Sequence, residues 1–145
     1  MDITSGTLKW RLTASSDVDN TPALSQGVVY IGLGSFLHAL EAATGKELWK
    51  VPVGDVNASG NVTSIDDVSA GAGVGGDGIY VPSGTYLYAF SARAAAHYTL
   101  TSGQPAYAWR FNVPKTFDNR WAPVVGAGAI YFTADDRAVY ALKSA

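Results

Sequence analysis

Cysteine is absent from the 145 residues, and with it go disulfides, thiolate metal sites and cysteine nucleophiles. Histidine is scarce: His38 and His97 are the two present. A Ser-His-Asp arrangement would have to use one of them, and neither sits in a context that suggests a base beside a nucleophile. No run of 18 apolar residues exists, so no membrane-spanning helix is expected. The opening "MDITSG" lacks a basic region followed by an apolar core, so no signal peptide is expected there. Lys and Arg form no cluster and the net charge is −2, which argues against nucleic acid as a partner. The glycine-rich "GAGVGGDG" (71–78) is followed by no Lys-Ser/Thr, so it reads as a flexible strand connection rather than a phosphate loop.

What the chain does have is glycine (16 residues) and a hydrophobic fraction of 48%. That is ample material for the core of one domain, and the frequent aromatic and β-branched residues favour short strands over helices. Self-similarity organises them. A Gly-to-Trp turn occurs three times, as Gly6 to Trp10, Gly45 to Trp49 and Gly103 to Trp109. The tryptophans are spaced 49 − 10 = 39 and 109 − 49 = 60 residues apart. In step with them, "GVVYIG", "GIYVPS" and "GAIYFT" align Tyr30, Tyr80 and Tyr131, and "FLHALEA", "YLYAFSA" and "AVYALKS" align His38, Tyr88 and Tyr140. Leu37/Ala39, Leu87/Ala89 and Val139/Ala141 alternate with their neighbours and share one face, as period-2 strands do. Four short antiparallel strands in about 40 residues predict a blade of a β-propeller. The fold class is therefore all-β, with three blades per chain.

The stretch "ALEAATGKELW" resembles the tryptophan-docking motif of pyrroloquinoline-quinone-type propeller repeats, Ala-x-Asp-x-x-Thr-Gly-x-x-x-Trp. Ala39, Thr44, Gly45 and Trp49 match, with Glu41 for the Asp; Asp2, Gly6 and Trp10 match in the first copy, with Ser5 for Thr. In the third copy Ser91 holds the Asp position and "RAAAHYTL" is inserted before Ser102-Gly103. The resemblance covers essentially the whole chain. It implies that Gly6, Trp10, Gly45, Trp49, Gly103 and Trp109 are structural docking residues at blade seams. It also implies a periplasmic or extracellular setting. It does not fix an activity, because such repeats occur in quinoprotein dehydrogenases, in the outer-membrane β-barrel assembly lipoprotein and in sensor regions of bacterial Ser/Thr kinases. Pyrroloquinoline quinone is not expected as a cofactor: many quinone-dependent members carry a vicinal Cys pair that is missing here.

The repeats run approximately over 12–53, 62–113 and 119–145, the last completed by an N-terminal strand at 6–12. The strand order is thus permuted, with a lone outer strand at the N-terminus. Three blades are too few to close a ring, since propellers have about four to eight. Two arrangements remedy that: a homodimer closing a six-bladed ring, each copy giving its N-terminal strand to the other's last blade, or a longer propeller of which this is a piece. The expected role is a non-catalytic scaffold binding a protein or small molecule. The alternative is part of a quinoprotein dehydrogenase or kinase-sensor propeller that binds a cofactor or ligand.

Loops 32–35, 83–85 and 134–136, with 13–19, 54–68 and 114–120, should share one end of the ring. Asp17, Asp19, Asp55, Asp66, Asp67, Asp118, Asp135 and Asp136 fall there; they are either turn formers or an acidic face for a cationic partner. "DVNASGNVTSIDD" has calcium-loop spacing, with Asp55, Asn57, Ser59, Asn61 and Asp66 as candidate metal ligands. Against this stand Ser59 at a usually acidic position and the glycine-rich stretch that follows, and the plainer reading is a long polar inter-blade loop. Arg120 and Trp121, near the strand nearest the axis, either pack beneath their own loop or meet a ligand at the channel mouth.

Overall fold

The computed structural model describes residues 4–15, 18, 20–63, 68, 71–114 and 121–143. They form three antiparallel sheets. The first, blade 1, runs β1 (Ala23–Ser25), β2 (Val28–Leu33), β3 (Phe36–Glu41), β4 (Glu47–Pro52) in sequential order. Blade 2 repeats it with β5 (Gly73–Gly75), β6 (Gly78–Ser83), β7 (Tyr86–Ser91) and β8 (Trp109–Asn112). Blade 3 has three strands, β9 (Val124–Gly126), β10 (Ala129–Ala134) and β11 (Ala138–Lys143). The predicted meander of four strands appears in blades 1 and 2 and as three strands in blade 3, because the N-terminal residues 6–12 expected to supply its fourth form no strand within one copy. Between β7 and β8 the inserted segment makes one short helix, α1 (Ala92–Ala95), and a 3-10 turn at Leu100–Ser102.

Turn chemistry sets the register. Ser25 faces Val28 and Gly126 faces Ala129 across two-residue turns whose central residues all have positive φ: Gln26 and Gly27, Ala127 and Gly128. Such turns match the right-handed twist of the strands they join. The period-2 pattern then does the sorting. Leu37 and Ala39 of β3, and Leu87 and Ala89 of β7, are buried on one sheet face.

Packing between sheets is face to face. One core cluster joins Tyr30, Leu37, Ala39 and Val51 of blade 1 to Ile79, Val81, Tyr88 and Phe90 of blade 2. A second joins Tyr80, Leu87 and Ala89 of blade 2 to Ile130 and Phe132 of blade 3. The short strands β1, β5 and β9 lie side by side where the blades converge. There a side chain at Gly73 would meet the Pro123 carbonyl oxygen at 2.4 Å, so glycine is what permits the approach.

Tryptophan docking is visible at the first seam. The Trp10 ring lies against the β3–β4 turn, its Nε1 donating to the Ala42 carbonyl at 2.9 Å. A Cβ on Gly45, whose φ is +76°, would meet Trp10 Cδ2 at 2.6 Å. One glycine thus meets two requirements, a left-handed turn and room for an indole. Trp49 and Trp109 sit opposite Ala39 and Ala89 in their own sheets, tilted against Tyr30 and Tyr80 at 5.9 and 6.0 Å between ring centroids. Gly45→Ala should therefore cost more than Gly34→Ala, which also has a positive φ but nothing within 4 Å of its Cβ. The second change carries the left-handed backbone cost alone, about 1–2 kcal/mol; the first adds displacement of Trp10, for about 1–3 kcal/mol more. Urea denaturation checks it, and equal losses at the two sites would contradict a docked Trp10.

Candidate functional site

Two blade faces have no blade against them among the described residues. On blade 3, Val139 is 76% exposed, whereas its repeat equivalents Leu37 and Leu87 are at 0%. Tyr131 is 41% exposed, against 7% and 5% for Tyr30 and Tyr80. With Trp121 and Val124 these side chains line an apolar depression. On blade 1 the opposite face shows Pro22, Val29, Ile31, Leu33 and Leu40, partly covered by Trp10, Leu12 and Val18. Contiguous apolar patches of this kind mark interaction surfaces. Residues 6–14 form no strand: they lie over blade 1 without a sheet of their own to join.

A polar cluster spans the seam between blades 1 and 2. The loop after β4 is pinned to blade 2 through Asp55, whose Oδ1 accepts from the Tyr107 hydroxyl at 2.8 Å and Oδ2 from Arg110 Nη1 at 3.2 Å. The Arg110 guanidinium lies over the Tyr86 ring at 4.2 Å and near Tyr107 at 5.5 Å. Both the ion pair and the cation–π contact are partly solvated, so each contributes only about 0.5–1 kcal/mol. Backbone contacts tighten the clamp. A Cβ on Gly60 would meet the Leu100 carbonyl oxygen at 3.1 Å, and one on Gly103 would meet Ala58 Cα at 3.1 Å. Burial, then the bond to Asp55, pushes the Tyr107 hydroxyl up to about 12.

The inserted segment rebuilds this seam. Trp49, Ala92, Tyr98 and Ala106 all pack against the blade 1–blade 2 core, to which Ala95 belongs, while the Gly103 turn rests on Ala58 rather than on an indole. Helix α1 is held by Asp77, which accepts from the Ser91 hydroxyl and, at 3.0 Å, from the Arg93 amide. These bonds, the hydroxyl first, hold the Asp77 carboxyl below the usual carboxylate range. Ser91 in turn caps the helix by accepting from the Ala94 amide at 3.2 Å.

Two of the candidate metal ligands, Asp55 and Asn57, already have their side-chain oxygens engaged. Besides the Asp55 bonds, Asn57 Oδ1 accepts from the amides of Ser59 and Asn61, each at 3.0 Å. An ion here would have to draw Asp55 away from Arg110. Asp66, Asp17, Asp19, Asp67, Asp118 and Arg120 lie outside the described residues, and no group of three or more His, Asp or Glu that could hold a metal occurs among the described ones. Trp121 is placed on the open face of blade 3, beside Val124 and Tyr131. His38 pairs with Glu47 at 2.6 Å, and His97 donates its backbone amide to the Ala94 carbonyl. The Asp55–Tyr107–Arg110 clamp was not legible in the sequence, because its members are 52 and 55 residues apart. The available signal was that a long loop and an insertion occur at one and the same seam.

The clamp has a pH signature. The folded chain holds the Tyr107 proton more tightly than the unfolded one, whose tyrosines titrate near about 10. The associated stability is complete below about pH 10 and is lost as pH rises towards about 12. Tyr107→Phe should cost about 1 kcal/mol at neutral pH, and its deficit relative to the parent should shrink across that alkaline window. Urea melts at several pH values check this; a constant deficit would contradict it.

Comparison with known proteins agrees with the geometry. A PQQ-type family profile described as "Outer membrane protein assembly factor BamB" matches residues 34–145. The serine/threonine-protein kinase AfsK of Streptomyces griseus is 28% identical over 152 aligned positions, covering 99% of this chain but 17% of the kinase. Among solved structures, BamB from Moraxella catarrhalis superposes with a TM-score of 0.67 at 18% identity, covering 96% of this chain and 37% of that one. Quinohemoprotein alcohol dehydrogenase ADHIIG from Pseudomonas putida HK5 gives 0.60 at 23% identity, covering 93% and 20%. The chain thus spans well under half the length of these relatives. With three meander sheets, tryptophan seams and a profile match over most of its length, the chain belongs to the BamB-type family of PQQ-like β-propeller repeats.

Proposed function

We propose that this chain is a non-catalytic propeller scaffold, two copies of which close a six-bladed ring that binds a protein or small-molecule partner. The observation that carries the reading is the pair of open apolar faces, one at each end of the three-blade arc. Joining the blade 3 face of each copy to the blade 1 face of the other removes both from water, and a two-fold ring uses the same contact twice. Support for a scaffold rather than an enzyme comes from the side chains on the page. Tyr107 and Arg110 both donate to Asp55, and His38 is paired with Glu47. The family description, an assembly factor, supports a role in protein–protein interaction.

A second reading has its own observation. The kinase match covers nearly all of this chain and a small part of the kinase, as a segment of a longer propeller would. In that case the open faces meet further blades of one polypeptide, and the ring serves as a sensor or binding region. Light scattering separates the two. The homodimer requires a solution mass about twice 15.2 kDa, independent of dilution through the micromolar range. A monodisperse 15.2 kDa species would overturn it in favour of the longer ring.

A further inference from the structure

Blade 3 carries, strand for strand, the apparatus that blades 1 and 2 use to hold their fourth strands. In blade 1 the pairs are Leu37 with Val51, His38 with Lys50 and Ala39 with Trp49. In blade 2 they are Leu87 with Phe111, Tyr88 with Arg110 and Ala89 with Trp109. The third-strand positions recur in β11 as Val139, Tyr140 and Ala141. The fourth-strand series, apolar, basic, Trp read backwards, recurs at Leu12, Arg11 and Trp10.

We infer that residues 6–13 of a second copy form the fourth strand of blade 3, antiparallel to β11, with Trp10 opposite Ala141, Arg11 opposite Tyr140 and Leu12 opposite Val139. The inference rests on the homodimer reading and specifies its contact. Three separate observations converge on this register. Among the described residues Tyr131 is the one member of its aligned trio with no fourth-strand tryptophan of its own sheet against it, Trp121 preceding β9 instead, while Tyr30 and Tyr80 each lean on one; Trp10 of the second copy supplies that ring. Arg11 arrives beside the Tyr140 hydroxyl, which is bonded to the Asp136 carboxylate, so a basic side chain meets an acidic partner as Arg110 meets Asp55. Finally, Trp109 is 37% exposed, and the left-handed Gly6 turn would leave a Cβ with nothing within 4 Å. In the exchanged blade the Gly6 turn of the second copy lies against Trp109, as the Gly45 turn lies against Trp10.

Exchange between copies, rather than pairing within one, follows from Trp10. Its indole is fixed to Ala42 and Gly45 of its own blade 1, at the far end of the arc from β11. The same tryptophan therefore serves both chains: its ring docks on its own blade 1 while its backbone pairs with the neighbour's β11.

The chain's lack of cysteine makes the test clean. Leu12→Cys and Val139→Cys are prepared as separate full-length proteins, both at sites exposed in one copy; they are mixed, exchanged and mildly oxidised. The proposed register brings the two Cα atoms within disulfide reach, below about 7 Å, so a covalent dimer should appear in the mixture and in neither protein alone. Leu8→Cys in place of Leu12→Cys is the control; four residues along a strand is a slip of about 13 Å, and it should not cross-link to Val139→Cys. A dimer by light scattering that gives no Leu12–Val139 cross-link, or that links Leu8 instead, would overturn the register and leave the homodimer standing. A monomer would overturn both.

Discussion

An indole laid across a glycine turn on the next blade is the contact on which the arrangement of this protein depends. Trp10 shows its logic: the ring covers Gly45 so closely that a methyl group there would collide with it, and the indole N–H is satisfied by the Ala42 carbonyl. A sheet of four short strands buries one face poorly by itself, and repeats of this kind are stable only when neighbours cover one another. The tryptophan fixes the angle and depth at which that covering happens. Aligned tyrosines behind each tryptophan, Tyr30 and Tyr80, complete the aromatic layer.

The same device explains how the seams differ. At the first, motif residues do the docking. At the second, the Ser-Gly turn follows the inserted segment and rests on Ala58, and α1, Tyr98 and Ala106 join Trp49 in the blade 1–blade 2 core cluster. That turn braces the loop after β4 through Gly103 and Ala58, and Asp55 fastens that loop to Tyr107 and Arg110. A seam that lost its standard turn has gained a polar clamp. The third is the seam where Trp109 remains partly exposed.

Much of this was legible in the sequence because repeats make each residue a comment on two others. Aligning Tyr30, Tyr80 and Tyr131 placed the second strands, and the alternation in "FLHAL" placed the third strands and their buried face, as found at Leu37 and Ala39. What was not legible lies where the copies stop agreeing. The 55–66 stretch has the spacing of a calcium loop, but spacing does not reveal that Arg110, 55 residues away, takes the Asp55 carboxylate. Gly103 aligned with Gly45 in type, but the insertion before it moved its turn onto a different neighbour. Trp121 has no counterpart in the other copies, so nothing internal to the chain could locate it on the open face of blade 3.

The central claim is that the outer edge of β11 is a pairing edge, completed when the ring closes. Hydrogen exchange at Ala138–Lys143 reads this residue by residue, because the amides of β11 that do not bond to β10 are exactly those a fourth strand would protect. The account predicts that these outward amides exchange as slowly as the corresponding amides of β3 and β7, which have strands on both sides. Rapid exchange at the outward amides, with protection confined to those bonded to β10, would show an open edge and contradict it.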